Sequence, residues 1–444
     1  MPEGEYGLYF TLFNFAFIFQ VVSDFGLYNF NARHVAQSRH LLSKYFPHLL
    51  SLKLSLGLVF LSLLAVAGSC WGFSGLAWWL LVWIGFNQVL QTLVLFLRSN
   101  LAGLGLYRVD SWASIIDKSL LILILGAMLW MPKLREVFEL SWFVGAHTAA
   151  YLLTSVGLLL YLSPQLGPWR LSWNWTKIRT FLRAGAPYAL VVFLMTAYTR
   201  LDAVMISKLL PDGLVQADRY AAAFRLLDAA NVGGVLLAGL LLPMFARLLQ
   251  QHNSVVPLVR LAFGVVWTGA ISLAIGVWYY ADPIMDALYV HTHARSGPLL
   301  RWIILTFVPM SGIYVYGTLL TANGELRPMN LIFGFSIGLN LVLNLLLIPT
   351  YGALGAAWAT FATQSMAFLA QWYLAQRLLA LPSPGFWLWR FAALAAALFL
   401  FGRYCLPSLP IHSWYVKFGL LIALGPLVAL SLQLWHPKDW WQQA

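Results

Sequence analysis

Long apolar runs dominate this chain and limit what it can fold into. Thirteen runs each approach the 20 or so residues that an α-helix needs to cross a bilayer. They lie at 7–30, 47–69, 76–97, 110–131, 140–163, 184–208, 217–243, 257–281, 299–321, 329–348, 353–376, 386–406 and 413–435. Charged residues make up only 9% of the chain, against about 25% in soluble domains. The sequence therefore predicts an all-α polytopic membrane protein with about thirteen transmembrane helices.

The basic residues of the loops predict an orientation for these helices. If the first run ends inside, fourteen loop cations fall on the inner side, and only Lys133, Arg135 and Arg295 fall on the outer side. The inner ones are Arg33, Arg39, Lys44, Arg98, Arg108, Arg170, Lys177, Arg179, Arg183, Arg247, Arg327, Arg377, Arg390 and Lys438. Cytoplasmic loops carry this excess, so we expect a cytoplasmic C-terminus.

The net charge of +12 does not indicate nucleic-acid binding, because the cations are spread over short loops and form no stripe. No metalloprotease, nucleophile-elbow or phosphate-loop motif occurs in the chain. We therefore predict a protein that is not an enzyme, holds no metal and binds no nucleic acid.

Two pairs of similar segments indicate an internal repeat. Residues 7–13 (Gly-Leu-Tyr-x-x-x-Phe) open the first run, and residues 218–224 (Asp-Arg-Tyr-x-x-x-Phe) open the seventh. The loop segments 102–108 and 322–327 are also similar to each other, and nearly the same number of residues separates them as separates the first pair. The pattern predicts two parallel halves. Because the helix at 184–208 has no counterpart in the first half, we expect fourteen helices minus a missing first one.

Three stretches carry a resemblance to a known family. They are 5–9 (Glu-Tyr-Gly-Leu-Tyr) with 24–27 (Asp-Phe-Gly-Leu), 199–202 with 220–226, and 340–349 with 351–357. The chain resembles the polysaccharide (O-antigen, Wzx-type) flippases of the multidrug/oligosaccharidyl-lipid/polysaccharide exporter superfamily.

The resemblance implies two six-helix lobes around a central cavity that opens alternately to each face. The N-lobe, lacking its first helix, would be 1–163, and 164–183 would be a basic cytoplasmic linker. The C-lobe would be 184–378, and 386–436 would add two peripheral transmembrane helices. The implied function is movement of a polyprenyl-(pyro)phosphate-linked oligosaccharide or polysaccharide repeat unit from the inner to the outer leaflet.

Ionisable and amide side chains within the apolar runs are the candidate site residues, because a charge at bilayer depth is costly. Arginine suits a phosphate group, so the predicted substrate-binding set is Arg200, Asp202, Arg225, Asp228, Arg301, Asn340 and Asn344. Structural ion pairs and interhelical hydrogen bonds are alternatives for the same residues. Arg301 could also extend to the outer surface.

Asp117 and Asp24 are candidates for coupling transport to a proton or sodium gradient. No other cofactor is expected. Lys118 could instead simply neutralise Asp117, and Asp24 could orient the inner loop. Lys53 lies near a helix end, and we expect its ammonium to extend toward the surface.

The sequence leaves other functions open. A drug exporter or a peptidoglycan-precursor flippase of the same superfamily would share these features. A membrane-embedded polysaccharide polymerase or ligase is the alternative from another class, although such enzymes usually present a larger outer loop. For the flippase we expect the bacterial inner membrane, a role in O-antigen, lipopolysaccharide or exopolysaccharide synthesis, a monomeric state, and membrane lipids and a polysaccharide polymerase as partners.

Overall fold

The computed structural model describes residues 4–27, 42–136, 138–166, 173–289, 296–379, 381 and 385–434. Over these ranges the chain forms thirteen long helices and no strand. They are α1 Glu5–Asp24, α2 Leu42–Trp71, α3 Gly75–Gly103, α4 Tyr107–Trp130, α5 Leu140–Leu166, α6 Trp175–Leu209, α7 Gly213–Gln250, α8 Val256–Leu288, α9 Gly297–Ala322, α10 Leu326–Tyr351, α11 Ala353–Leu379, α12 Gly385–Leu400 and α13 Trp414–Ser431. Each predicted run corresponds to one helix, so the all-α polytopic fold class is confirmed.

Twelve of these helices are long and apolar enough to cross a membrane. The exception is α11, because its glutamine, threonine and serine residues lower its mean hydropathy. Gln364 and Gln371 of α11 are 1% and 0% exposed, and the helix packs against α9 and α10. Its polar residues therefore point into the bundle, away from the surface that lipid would cover.

Residues that cannot continue an α-helix set several helix ends and kinks. α1 ends at Asp24 because Phe25 and Gly26 adopt positive φ angles of 46° and 77°. α9 breaks at Thr306, between Gly297–Leu305 and Phe307–Ala322. Pro309 follows the break by three residues. Because proline has no N–H group, the Leu305 carbonyl oxygen lacks the amide donor that residue 309 would otherwise supply.

The peripheral helix α12 continues through a π-helical turn, Phe401–Cys405, to Ser408. The Tyr279 hydroxyl of α8 donates a hydrogen bond of 2.8 Å to the Phe399 carbonyl oxygen. A side chain that enters the helical hydrogen-bond ladder in this way produces such a turn.

The chain divides into two compact units, Met1–Val204 and Met205–Ala444. In the first unit, a core of Tyr9, Leu12, Phe15 and their neighbours joins α1, α2, α3 and α5. In the second unit, aromatic rings of Phe263, Trp267, Tyr316, Phe368 and Phe391 pack around α8. The division falls within α6, whereas the predicted lobes separate at the linker before it. Residues 167–172 of that linker and 435–436 at the far end lie outside the described residues, and the predicted lobe limits stay a prediction.

Gly312 tests the packing of α9 against α11. A Cβ atom at Gly312 would lie 2.3 Å from the ring of Phe368, and that ring packs against Phe263 and Trp267. We expect Gly312→Ala to destabilise the protein by about 1–3 kcal/mol through overpacking, measured as a lower melting temperature in detergent. At Gly338 a Cβ would meet nothing within 4 Å, so Gly338→Ala should stabilise slightly by helix propensity. Equal effects of the two substitutions would contradict this packing.

Candidate functional site

Arg200 lies in α6, and its guanidinium is held against α1 in the first unit. Its Nη1 donates to Asn14 Oδ1 at 3.5 Å, and its Cζ lies 5.2 Å from the centroid of the Phe17 ring. Asn14 is 1% exposed, whereas Arg200 is only partly buried. The arginine therefore combines a cation–π contact with an amide contact and keeps part of its surface accessible.

Asp202 follows two residues later on α6, and it is 1% exposed. Successive positions on a helix point about 100° apart, so Arg200 and Asp202 occupy different faces. The two residues are therefore placed differently. Arg200 is partly accessible, and Asp202 is inside the fold.

In the second unit, Arg225 and Asp228 lie one turn apart on α7. The Arg225 side chain is exposed and Asp228 is half-buried. The Tyr289 hydroxyl donates to the Ala222 carbonyl oxygen at 3.2 Å, which ties the end of α8 to α7. The structure brings a cation, an anion and a phenol together here.

Arg301 of α9 is engaged by α8. Its Nη2 donates to Asp282 Oδ2 at 2.5 Å, and its Nε donates to the Trp278 carbonyl oxygen at 3.0 Å. The Trp278 carbonyl lies just before the kink of α8, where Tyr280 leaves the helical region with φ −116° and ψ 18°. The observed contacts of Arg301 thus stabilise a bent helix; its predicted role in substrate binding stays a prediction.

Asn340 and Asn344 lie one turn apart on α10, and both are 0% exposed. Asn344 Nδ2 donates to Asn340 Oδ1 at 2.9 Å. The pair therefore belongs to the buried polar interior of the second unit. A polar pair in such a place is a source of both stability and specificity.

Asp117 of α4 is 7% exposed. Its Oδ2 lies 3.0 Å from Lys118 Nζ, and the Lys118 side chain is 69% exposed. The pair joins adjacent residues of one helix, so it does not hold two helices together.

Asp24 forms an ion pair with Lys53 of α2, which contradicts the expectation that Lys53 extends to the surface. Lys53 Nζ lies 3.1 Å from Asp24 Oδ1 and donates to the Ser23 carbonyl oxygen at 2.9 Å. The Lys53 side chain is 1% exposed and that of Asp24 is 25% exposed. A cation among the last carbonyls of a helix is favourable, so Lys53 caps the end of α1.

The Asp-Phe-Gly-Leu segment 24–27 has a second structural role beside this cap. A Cβ atom at Gly185 of α6 would lie 2.5 Å from the Phe25 carbonyl oxygen. Only glycine allows the backbones of α1 and α6 to approach so closely at this point. The motif that indicated the family therefore ends α1, pairs Asp24 with Lys53 and docks α6 on α1.

Sequence reasoning misassigned one residue of the first unit, Lys53. Lys53 lies toward one end of a long apolar run, and the sequence does not show that Asp24 lies within its reach. The only signal for Lys53 was that Asp24 could pair with a lysine on another helix. Identifying that lysine requires the fold.

The Asp24–Lys53 pair can be tested by a double-mutant cycle. Asp24→Ala leaves the Lys53 ammonium buried without its carboxylate, and removal of one partner from a buried pair costs about 3–5 kcal/mol. We expect Asp24→Ala to lower the melting temperature strongly and the double variant Asp24→Ala/Lys53→Met to recover part of the loss. In the matched cycle Asp117→Ala/Lys118→Met, the exposed Lys118 should give a coupling of at most about 1 kcal/mol. Additive losses at Asp24 and Lys53 would contradict the pairing.

Residues 1–249 match the family described as polysaccharide biosynthesis protein, and no curated protein matches the chain significantly. Among solved structures, the lipid II flippase MurJ in an inward closed conformation has a TM-score of 0.69 at 13% identity, over 97% of this chain and 92% of MurJ.

An inward-facing multidrug resistance MATE family transporter of the MOP superfamily has a TM-score of 0.66 at 14% identity, over 85% of this chain and 90% of its own. A MOP superfamily transporter from Pyrococcus furiosus has a TM-score of 0.59 at 14% identity, over 85% of this chain and 87% of its own. These likenesses show a shared fold. Because the family match covers more than half of the chain, this multi-pass membrane protein belongs to the polysaccharide biosynthesis protein family, with the fold of the MOP superfamily.

Proposed function

We propose that this protein is a flippase that moves a polyprenyl-(pyro)phosphate-linked oligosaccharide from the inner to the outer leaflet by alternating access. The observation that carries the proposal is the match of residues 1–249 to a polysaccharide biosynthesis family, on a fold that a lipid-linked-precursor flippase also has. An amphiphile with a charged, sugar-bearing head needs a protein path through the bilayer, because hydrocarbon does not solvate the head group.

Arg200 and Arg225 are the proposed ligands of the phosphate groups. A guanidinium stays charged at all physiological pH values and offers a planar fork of donors that fits phosphate oxygens. Arg200 is positioned by Asn14 and Phe17 but keeps accessible surface, and Arg225 is exposed. Asp202, Asp228, Asn340, Asn344 and Arg301 remain proposed members of the binding set, with the amides suited to sugar hydroxyl groups.

Two transport alternatives use the same fold. A drug exporter agrees with the likeness to a MATE transporter, and a peptidoglycan-precursor flippase agrees with the likeness to the lipid II flippase. We favour the polysaccharide substrate because the family match, unlike the likenesses in fold, is one of sequence. A polymerase or ligase has less support, because the solved structures with this fold are transporters and a flippase.

The loop charges support a proposed orientation in the bacterial inner membrane, with the C-terminus in the cytoplasm. A role in O-antigen, lipopolysaccharide or exopolysaccharide synthesis, a polysaccharide polymerase as partner, and a monomeric state belong to the same proposal. We also propose that a proton or sodium gradient drives transport, with Asp117 and Asp24 as candidates for coupling.

The phosphate-binding role predicts the outcome of single arginine substitutions. Arg200→Ala and Arg225→Ala should each reduce transport at least tenfold, because each removes a charge-assisted contact to phosphate. The measurement is complementation of a strain that lacks its polysaccharide flippase, with membrane levels determined in parallel.

Arg327→Ala is the matched control, since Arg327 is exposed at the start of α10 and no contact to it is proposed. Full complementation by the Arg200 and Arg225 variants would contradict the site assignment. If the native chain complements a strain lacking the peptidoglycan-precursor flippase and fails in the polysaccharide strain, the substrate assignment is wrong.

A further inference from the structure

A cavity of about 130 Å³ lies within the second unit, beside the peripheral helix α12. Its wall is formed by α8, the second half of α9, α11 and α12. Most of the lining side chains are aromatic or branched aliphatic, and the rings are those of Phe263, Trp267, Tyr316, Phe368, Trp372 and Phe391. A concave, mainly apolar wall with few polar groups is typical of a ligand site.

One end of this cavity is basic. On α8, Arg260 also lines the cavity and shares a helical face with Phe263 and Trp267, three and seven residues further on. The Arg260 side chain is exposed, and among the described residues no carboxylate lines the cavity. An amphiphile with an apolar chain and a negatively charged end therefore complements this wall.

The basic end lies where α8 and α12 begin and where α11 ends. Arg377, which follows the lining residue Gln376 in the last turn of α11, is exposed there as well. The orientation proposed from the loop charges makes this the cytoplasmic face. Basic pockets between transmembrane helices on this side are typical sites for anionic lipid head groups.

The cavity opens sideways to the surface that lipid would cover. Two of its lining residues, Leu369 of α11 and Leu388 of α12, are 54% and 42% exposed. At about 1.5 Å per residue, the lining from Val256 to Trp267 extends about 16 Å along α8. This length is about half of the hydrocarbon core of roughly 30 Å. A lipid of the cytoplasmic leaflet thus reaches the cavity from the side, with its head group level with Arg260.

The volume of the cavity favours an unbranched chain. An engineered protein cavity of about 150 Å³ holds one benzene molecule, so a volume of this order takes a segment of about six carbon atoms. Spread along α8 from Val256 to Trp267, the 130 Å³ form a narrow slot. A linear acyl chain fits such a slot better than an isoprenoid chain, whose methyl branches make it wider.

A second cavity, near the other end of α8, has a different chemistry. Residues 274–278 of α8, Leu305 of α9 and residues 395–399 of α12 line it, and among the described residues its wall carries no charged side chain. Apolar contacts alone suit it to hydrocarbon without recognition of a head group. The guanidinium of Arg260 is therefore what gives the first cavity its preference for a charged lipid.

We propose that the first cavity binds an acyl chain of an anionic phospholipid from the cytoplasmic leaflet, with the phosphate at Arg260. A guanidinium donates charge-assisted hydrogen bonds to phosphate oxygens. The chain fills space between α12 and the rest of the second unit, and so stabilises the position of α12. Lipid binding here does not rest on the proposed transport function, and a chain that moves no oligosaccharide would still bind the phospholipid.

Head-group recognition is tested by native mass spectrometry of the full chain in detergent. The protein is titrated with phosphatidylglycerol or with phosphatidylcholine that has the same acyl chains. We expect phosphatidylglycerol to bind more tightly, and Arg260→Gln to weaken its binding about fivefold. Arg327→Gln is the matched control, since Arg327 is exposed at the start of α10 and does not line the cavity. Equal affinities of the native and Arg260→Gln proteins for phosphatidylglycerol would overturn the proposal.

The position of the chain is tested in nanodiscs with phosphatidylglycerol that carries a photoreactive diazirine on one acyl chain. We expect labels on 256–267 and 388–391, and fewer of them in Leu388→Trp, which narrows the opening of the cavity. Labels on the lipid-facing helix α4 should stay constant, and equal melting temperatures without added lipid would exclude misfolding. Unchanged labelling of 256–267 in both Leu388→Trp and Arg260→Gln would contradict the site. Displacement of the label by polyprenyl phosphate but not by unlabelled phosphatidylglycerol would show that the assigned occupant is wrong.

Discussion

The absence of water in the hydrocarbon core is the constraint on which this structure depends. Every backbone and side-chain polar group at that depth needs a partner from the protein. The capping of α1 by Lys53, the engagement of the Trp278 carbonyl by Arg301 and the hydrogen bond from Tyr279 to Phe399 all follow from it. In each case a side chain on one helix satisfies a carbonyl on another, at a helix end or a bend.

The same constraint separates structural charges from candidate functional ones. Lys53 and Arg301 have carboxylate and carbonyl partners on neighbouring helices, which explain their presence without a substrate. Arg225 lies one turn from Asp228 on α7, and its side chain keeps exposed surface. Arg200 is intermediate, held by Asn14 and Phe17 yet partly accessible. Because both arginines keep accessible surface, they are the two that we propose as phosphate ligands.

The helices could be predicted from the sequence, because each requires one run of about 20 apolar residues and that signal is local. Even α11 was predicted, although its glutamines leave it short of the hydropathy of a membrane-spanning helix. The site could be predicted only as a set of ionisable residues within the runs. Whether Lys53 meets Asp24 depends on how α1 and α2 pack. The sequence pattern carries no measure of that packing, so it places Lys53 at the surface, whereas the structure buries it.

Transfer of a lipid-linked oligosaccharide between leaflets is the most direct measurement of the central claim. The purified chain would be reconstituted into liposomes that contain a polyprenyl-diphosphate-linked oligosaccharide in both leaflets, and a sugar-binding lectin added outside would count the exposed head groups. The account predicts that the protein makes nearly all head groups accessible, whereas protein-free liposomes expose only the outer half. Accessibility that stays at the protein-free level, with the protein folded and inserted, would contradict it.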